Sequence, residues 1–454
     1  MLHALYFQKS SDGKWSVVYK NRHLQTETFK MEKNRGKPSF LPAIKGDSPA
    51  VLAAYFLNWM RFGKVNKDLS NTGVVCHGGK FYSVAENHAA QEFDILGLDA
   101  RGEWDINGAW DRPFTAHPKK APGTGELVIF GMQPFKPFIE LGIVSADGER
   151  LLHKVDLDLD RYNVIMDFPL TIDLSRLLTG GQLINYDKEG YARIGVMPRY
   201  GNTESIRWFD VAPNCTFHIL NCFEDGNEVV VRACRCLNSV LTVTGSEMGE
   251  DRFDWFSRRF RFRRGNVGDD GGSSSSSGDE LFFTRCYEWR LNMKTGEVKE
   301  RNLTGETEAS MDFPVIHPGF TGLPNRFGYT QTIDVEASST SGKPKFGGLA
   351  KLYFQDQPKR DDDECGDAIK VEYHELEKNT FCSGAAFVPK LAACEEDDGW
   401  IVAFVHNEDT DTSKVYIIDA KKFSSQPVAK ITLPCRVPYG FHGAFVPMSL
   451  PLML

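Results

Sequence analysis

At 454 residues, with 41% hydrophobic and 25% charged side chains, the chain has the composition of a globular protein that buries a large core. Its net charge of -8 argues against nucleic acid, which asks for a basic face, and no run approaches the roughly 18–20 apolar residues of a membrane span. The ten cysteines include no Cys-x-x-Cys pair (Cys234 and Cys236 are separated by one residue), so a reducing compartment is expected, without a zinc knuckle or a disulfide framework.

The chain enters a strand at once, Leu2–Phe7, with no basic, serine-rich or signal-like leader ahead of it. A turn at Ser11-Asp12-Gly13-Lys14 leads into a second strand, Trp15–Tyr19. The same pattern of strand, glycine turn and strand recurs at Phe138–Val144 with Leu151–Leu157, and at Tyr287–Met293 with Val298–Leu303. Val415–Asp419 reaches Val428–Leu433 through a longer loop. Recurring antiparallel hairpins suit a β-propeller, with a sandwich or two β domains as the rival architectures. Between the first strands, Pro49–Phe62 reads as a helix, with Ser48 as N-cap, Pro49 at the first helical position and Gly63 after the end. Its Leu52, Tyr55, Phe56, Trp59 and Met60 share one face, which would pack on a sheet edge or cap one end of the scaffold.

Farther along, Cys215-Thr216-Phe217-His218-Ile219-Leu220-Asn221-Cys222-Phe223 is an apolar, β-prone run ending in the acidic turn Glu224-Asp225-Gly226. An imidazole in such a strand needs a partner, because an unsatisfied buried polar group costs a few kcal/mol. A backbone carbonyl would serve; so would a metal. Arg258–Arg264 is a basic, aromatic segment read as a solvated edge, and 265–280 as a flexible Gly/Ser-rich loop. Asp361-Asp362-Asp363-Glu364 lacks the spacing and glycine of a calcium loop.

Of the eleven histidines, His3, His23, His153 and His374 sit in polar or edge-strand contexts, and His77, His88, His317 and His406 beside turns. His117 precedes Pro118, which favours an extended approach. His442 lies between glycines in Pro438-Tyr439-Gly440-Phe441-His442-Gly443. Together with His218 they suggest a metal centre.

The stretches Ala85-Glu86-Asn87-His88, Trp104-Asp105-Ile106-Asn107-Gly108, Phe114-Thr115-Ala116-His117-Pro118, Phe217-His218-Ile219-Leu220-Asn221, Met311-Asp312-Phe313-Pro314, Glu396-Asp397-Asp398-Gly399 and Phe441-His442-Gly443 carry a family resemblance. In order and spacing the chain resembles the carotenoid cleavage dioxygenases, particularly a plant branch of zaxinone synthase-like and 9,10-cleaving enzymes. The resemblance spans essentially the whole chain, read as a single domain over residues 1–454. It implies a seven-bladed propeller with Fe(II) on its axis, held by four histidines, and a helical cap over an apolar tunnel.

On that resemblance His117, His218 and His442 fall on the first, third and fourth ligand positions. Glu86 and Asp312 fall where carboxylates accept from an imidazole N–H and fix its tautomer. Asp312 stands where many relatives have a glutamate, and Gly384 near where some carry a third. The second ligand histidine should lie just before Tyr162, where this chain has Leu157-Asp158-Leu159-Asp160-Arg161 instead. His153 belongs to the preceding strand and is not promoted to that place. Relatives also carry a long part ahead of Met1, so the chain reads as a truncated or alternatively spliced member.

The expected activity is oxidative cleavage of a carotenoid or apocarotenoid with dioxygen, dependent on Fe(II) and with peripheral membrane contact, in a plastid by family or in the cytosol. The alternative is an impaired member that binds apocarotenoid without turnover. A metal-free propeller that binds proteins is a third reading.

Overall fold

The computed structural model describes residues 1–41, 48–132, 139–155, 163–172, 176, 184–187, 189–198, 201–236, 284–305, 310–334, 336–338, 344–354, 368–391 and 393–448. The loop read at 258–280, the acidic run at 361–364 and the segment before Tyr162 lie outside them.

The glycine turns close the hairpins read from the sequence. β1 (Leu2–Lys9) and β2 (Trp15–Arg22) pair antiparallel around Gly13, whose φ of +83° suits glycine. β3 (Gly73–His77), β4 (Lys80–Val84), β5 (Ala90–Phe93) and β6 (Ala100–Trp104) form the next sheet. β7 (Lys119–Lys120), β8 (Leu127–Met132), β9 (Ile139–Val144) and β10 (Leu151–Val155) follow as another. β11 (Asn163–Asp167) joins β14 (Ala192–Met197) and β15 (Arg207–Val211), while β12 (Leu170–Ile172) and β13 (Ile184–Tyr186) pair separately. A long-stranded sheet comes next: β16 (Cys215–Asp225), β17 (Glu228–Cys236), β18 (Arg285–Asn292) and β19 (Val298–Asn302). β20 (Met311–Val315), β21 (Phe327–Ile333), β22 (Phe346–Tyr353) and β23 (Lys370–Glu375) are joined to β24 (Thr380–Pro389), β25 (Gly399–Asn407), β26 (Thr412–Asp419) and β27 (Ala429–Thr432) by one backbone pair, Phe346 with Cys382.

The core lies between successive sheets, and it closes into a ring. Tyr82, Val84 and Trp104 pack with Leu127, Ile129 and Val144. Ile194 and Phe209 pack with Val231 and Trp289, and Leu220 and Cys286 with Met311 and Leu352. The β1–β2 hairpin joins the ends of the chain. Leu2 and Ala4 pack with Phe93 and Leu98 on one side, while Leu5 and Tyr19 pack with Val415, Leu433 and Val437 on the other. Successive residues of a strand face opposite sides, so one hairpin serves two neighbours. This is a propeller architecture.

The helix read from Pro49 is α2 (Ser48–Phe62), and Gly63 ends it at φ +70°, its N–H bonded to the Trp59 carbonyl. Of the face read as apolar, only Leu52 and Tyr55 are half-buried. Phe56, Trp59 and Met60 are exposed, and the buried stripe is Val51, Ala54 and Asn58. Asn58 accepts from Leu41 N and donates to the carbonyls of Leu41 and Val65, so a polar residue anchors the helix. A preceding helix, α1 (Glu27–Arg35), was not expected from its mostly polar sequence; Thr26 caps its start and Gly36, at φ +65°, its end. The histidines read as edge or turn residues also include buried ones. His77 bonds the Ser145 carbonyl, His374 the Phe423 carbonyl and His406 the Ser413 hydroxyl.

The acidic motif at 396–399 is structural. Glu396 accepts from the N–H groups of Arg326 and Phe327, and Asp398 from those of Cys394 and Glu395. Asp397 pairs at 2.8 Å with Lys351, a lysine only 1% exposed whose ammonium also donates to the Ala420 carbonyl. Removing one partner strands a buried charge, which costs about 3–5 kcal/mol, whereas an apolar pair is better tolerated. Asp397→Ala should lose that much in denaturant unfolding, and Lys351→Met with Asp397→Leu should lose clearly less.

Candidate metal centre

Three segments distant in sequence deliver His117, His218 and His442 to one point. One ring nitrogen of each lies within 4.8 Å of the others.

His117 is placed by backbone pairing outside the sheets. Phe114 N donates to the His88 carbonyl and Asn87 N to the Phe114 carbonyl, tying the turn at 85–88 to the run 114–117. Asn87 takes φ +60° in that turn. The result puts Glu86 beneath His117: Glu86 Oε1 accepts from Thr115 Oγ1 at 3.2 Å, Ala116 N at 2.9 Å and His117 Nδ1 at 3.2 Å.

His218 stands on β16, whose register against β17 shifts twice, between Thr216 and His218 and between Ile219 and Asn221. An unbroken strand would turn residues three apart to opposite faces. The second bulge resets the phase, so His218 pairs with Cys234 and Asn221 with Arg232, and both point toward β20 and its loop. His218 Nδ1 then meets Asp312 Oδ1 at 2.8 Å, while Asn221 donates to the carbonyls of Phe320 and Leu323 and accepts from Gly322 N. Arg232, also bound to Glu288 and to the Asn325 carbonyl, completes that buried network.

His442 is carried by a segment without regular structure that lies directly on the β24 backbone. A Cβ on Gly384 would meet Gly443 N at 3.2 Å and the His442 carbonyl carbon at 3.3 Å. One on Gly443 would meet the Ala385 carbonyl group at 3.3 Å. Gly384 also has φ +134°, and the β24–β25 register shifts there, between Cys382 and Ala385. Backbone of the 441–443 segment thus fills the space in which a side chain at position 384 would start.

The ring planes are close to mutually perpendicular, at 86° for His117 and His218, 88° for His117 and His442, and 73° for His218 and His442. The Nε2 atoms of His117 and His442 are 2.9 Å apart. Two metal–imidazole bonds of about 2.0–2.1 Å at a right angle would place their nitrogens about 2.9 Å apart. Burial, followed by the neighbouring His218 and His117 rings and Lys119, pulls the His442 pKa down to about 3, which keeps this imidazole neutral and its lone pair available. These donors fit a metal ion.

The site has features the sequence did not announce. Phe313 takes φ +54°, a conformation costly for an aromatic residue, directly after Asp312, whose Oδ1 accepts its N–H at 2.8 Å. Its ring contacts His218 at 4.7 Å and His442 at 5.2 Å between centroids, so it walls one side of the cluster. His153 stays apart, on β10 at the far side of its sheet from β7.

Comparison with known proteins gives the chain a family and a fold. The family described as RPE65, retinal pigment epithelial membrane protein, matches residues 1–447. The chain is 32% identical over 476 residues to carotenoid 9,10(9',10')-cleavage dioxygenase 1 of Phaseolus vulgaris, covering 98% of this chain and 79% of that one. It is 28% identical to a chloroplastic 9-cis-epoxycarotenoid dioxygenase of Oryza sativa subsp. japonica, covering 98% and 67%. Among solved structures, a lignostilbene dioxygenase of Pseudomonas brassicacearum superposes with a TM-score of 0.73 at 22% identity, covering 97% and 86%.

Gly384→Glu should both strain the backbone and push the 441–443 segment off β24, costing about 1–3 kcal/mol in denaturant unfolding. Unfolding identical to that of the parent chain would contradict the close approach described here.

Proposed function

Because the chain belongs to the RPE65 (retinal pigment epithelial membrane protein) family of carotenoid oxygenases, we propose that it splits a conjugated carbon–carbon double bond with dioxygen. The substrate class is a carotenoid or apocarotenoid. The products are two carbonyl compounds, each taking one oxygen atom. The observation that carries this reading is the convergence of His117, His218 and His442, whose donor atoms meet within 4.8 Å.

Those three imidazoles would hold Fe(II), for which neutral nitrogen ligands are suited and which three protein ligands leave accessible. Bound iron would supply the activation of dioxygen. The surrounding residues supply orientation. Glu86 accepts from His117 Nδ1, which leaves His117 Nε2 facing the centre, and Asp312 does the same for His218. Phe313 excludes water from one side and offers an aromatic face to a polyene.

A second reading, an impaired member that binds apocarotenoid without turnover, is favoured by one observation: the described cluster has three imidazoles, and His153 is not among them. Peripheral membrane contact is supported by the exposed Phe56, Trp59 and Met60 of α2. None of the described helices is long and apolar enough to cross a membrane. A plastid location is consistent with the chloroplastic relative.

Incubation of the Fe(II)-loaded chain with a set of carotenoids and apocarotenoids under labelled dioxygen should yield two carbonyl fragments, each trapped with one labelled oxygen. His218→Ala should abolish them. Substrate retained without fragments would support the impaired reading. Presenting the substrate in vesicles rather than detergent should make turnover sensitive to Trp59→Ser; equal sensitivity in both would count against membrane contact.

A further inference from the structure

We propose that residues 317–323 plug one end of the propeller axis, latched by Asn221 and seated on Pro122, so that the three-histidine cluster is closed to solvent from that end. The proposal rests on the ring of sheets and, for its consequence, on reading the cluster as a metal site. Strand direction fixes which end is meant. β7 follows His117, β16 continues from His218 to Asn221, and β20 continues from Asp312, beside His218, into the loop at 317–323. All three leave the histidines in one direction, and Pro122, Asn221 and the loop come together there. Asn221 follows His218 along β16 by about 10 Å, the rise of three residues in a strand.

This loop grows out of β20 and is held by three further parts of the ring. Asn221 of β16, only 4% exposed, donates to the carbonyls of Phe320 at 3.1 Å and Leu323 at 2.8 Å and accepts from Gly322 N at 3.0 Å. Lifting the loop would leave that buried amide without these partners, which opposes opening. The His317 ring lies 5.1 Å from Phe387 of β24 between centroids, and its Nδ1 accepts from Gly319 N. Gly322 takes φ +78°, and a Cβ there would meet Pro122 Cγ at 3.1 Å, in the turn between β7 and β8. In the ring, β11–β15 and β16–β19 separate β7–β10 from β20–β23 on one side, and β24–β27, β1–β2 and β3–β6 on the other. The approach of Gly322 to Pro122 therefore spans the axis. The root of the loop is fixed as well: Asn221 also donates to Asn325 Oδ1, and Glu396 accepts from Arg326 N and Phe327 N. Pro318, Gly319, Leu323 and Pro122 are exposed, so these residues form the outer surface at this end.

The competing role for Asn221 is to hold β16, and through it His218, with the loop as a bystander. Two variants on opposite sides of the axis separate the roles. Asn221→Ala frees the latch, and Pro122→Ala thins the seat on an exposed turn that belongs to neither β16 nor β20. The purified full chain is loaded with Co(II), and the rate at which excess EDTA strips the metal is followed beside the equilibrium affinity. A plug predicts stripping about tenfold faster in Asn221→Ala and about threefold faster in Pro122→Ala, with affinity within about twofold of the parent in both. Parent rates in both variants, or a faster Asn221→Ala whose affinity falls in step, would overturn the proposal alone. If Asn221→Ala fails to fold, Pro122→Ala decides by the same criterion. A parent chain that takes up no Co(II) would overturn the metal-site reading and not the plug. The plug is then judged on the metal-free chain, by the rate at which diethyl pyrocarbonate modifies His117, His218 and His442. Faster modification in both variants supports it, and equal rates overturn it.

Discussion

Three imidazoles aimed at one another make an arrangement that a protein has to hold by force of its surroundings. Lone pairs confined within a few ångströms repel, and nothing in the three side chains themselves favours the meeting. The structure holds them from behind. Glu86 takes the outer nitrogen of His117, Asp312 takes that of His218, and His442 is fixed by glycine-to-backbone contact with β24. The two carboxylates control their rings through the nitrogen that does not face the centre, leaving the inner nitrogens for a ligand.

Those devices depend in turn on the ring of sheets. His117 is set by a bridge from β3–β6 to the approach to β7, His218 by the β16–β19 sheet packing on β20, and His442 by β24. A point on the axis of a propeller is reached by several sheets at once, which is how residues more than 300 positions apart come into contact. The hairpin β1–β2 matters here although it carries no ligand. By packing on both its neighbours it ties the β3–β6 sheet to the last strands of the chain.

Much of this was legible in the sequence. The hairpins followed from glycine turns between β-prone runs, and His117, His218 and His442, with Glu86 and Asp312, followed from motifs at family spacing. What escaped is instructive. His218 and Asn221 are three apart and would be assigned to opposite faces; only the bulge after Ile219 brings them together, and bulges leave no reliable trace in composition. The α2 sequence is apolar nearly all round, so periodicity offered a stripe of large residues, while the structure buried Val51, Ala54 and the polar Asn58 and left Phe56, Trp59 and Met60 outside. α1 went unseen because its sequence is mostly polar, although Thr26 and Gly36 cap its two ends.

The central claim is that His117, His218 and His442 together make a metal site. Its most direct test is iron content after anaerobic loading with Fe(II) and removal of excess, measured for the parent chain and for His117→Ala, His218→Ala and His442→Ala. The account predicts about one iron per parent chain, with each substitution reducing it to background. Iron retained undiminished in all three variants, or absent from a folded parent chain, would contradict it.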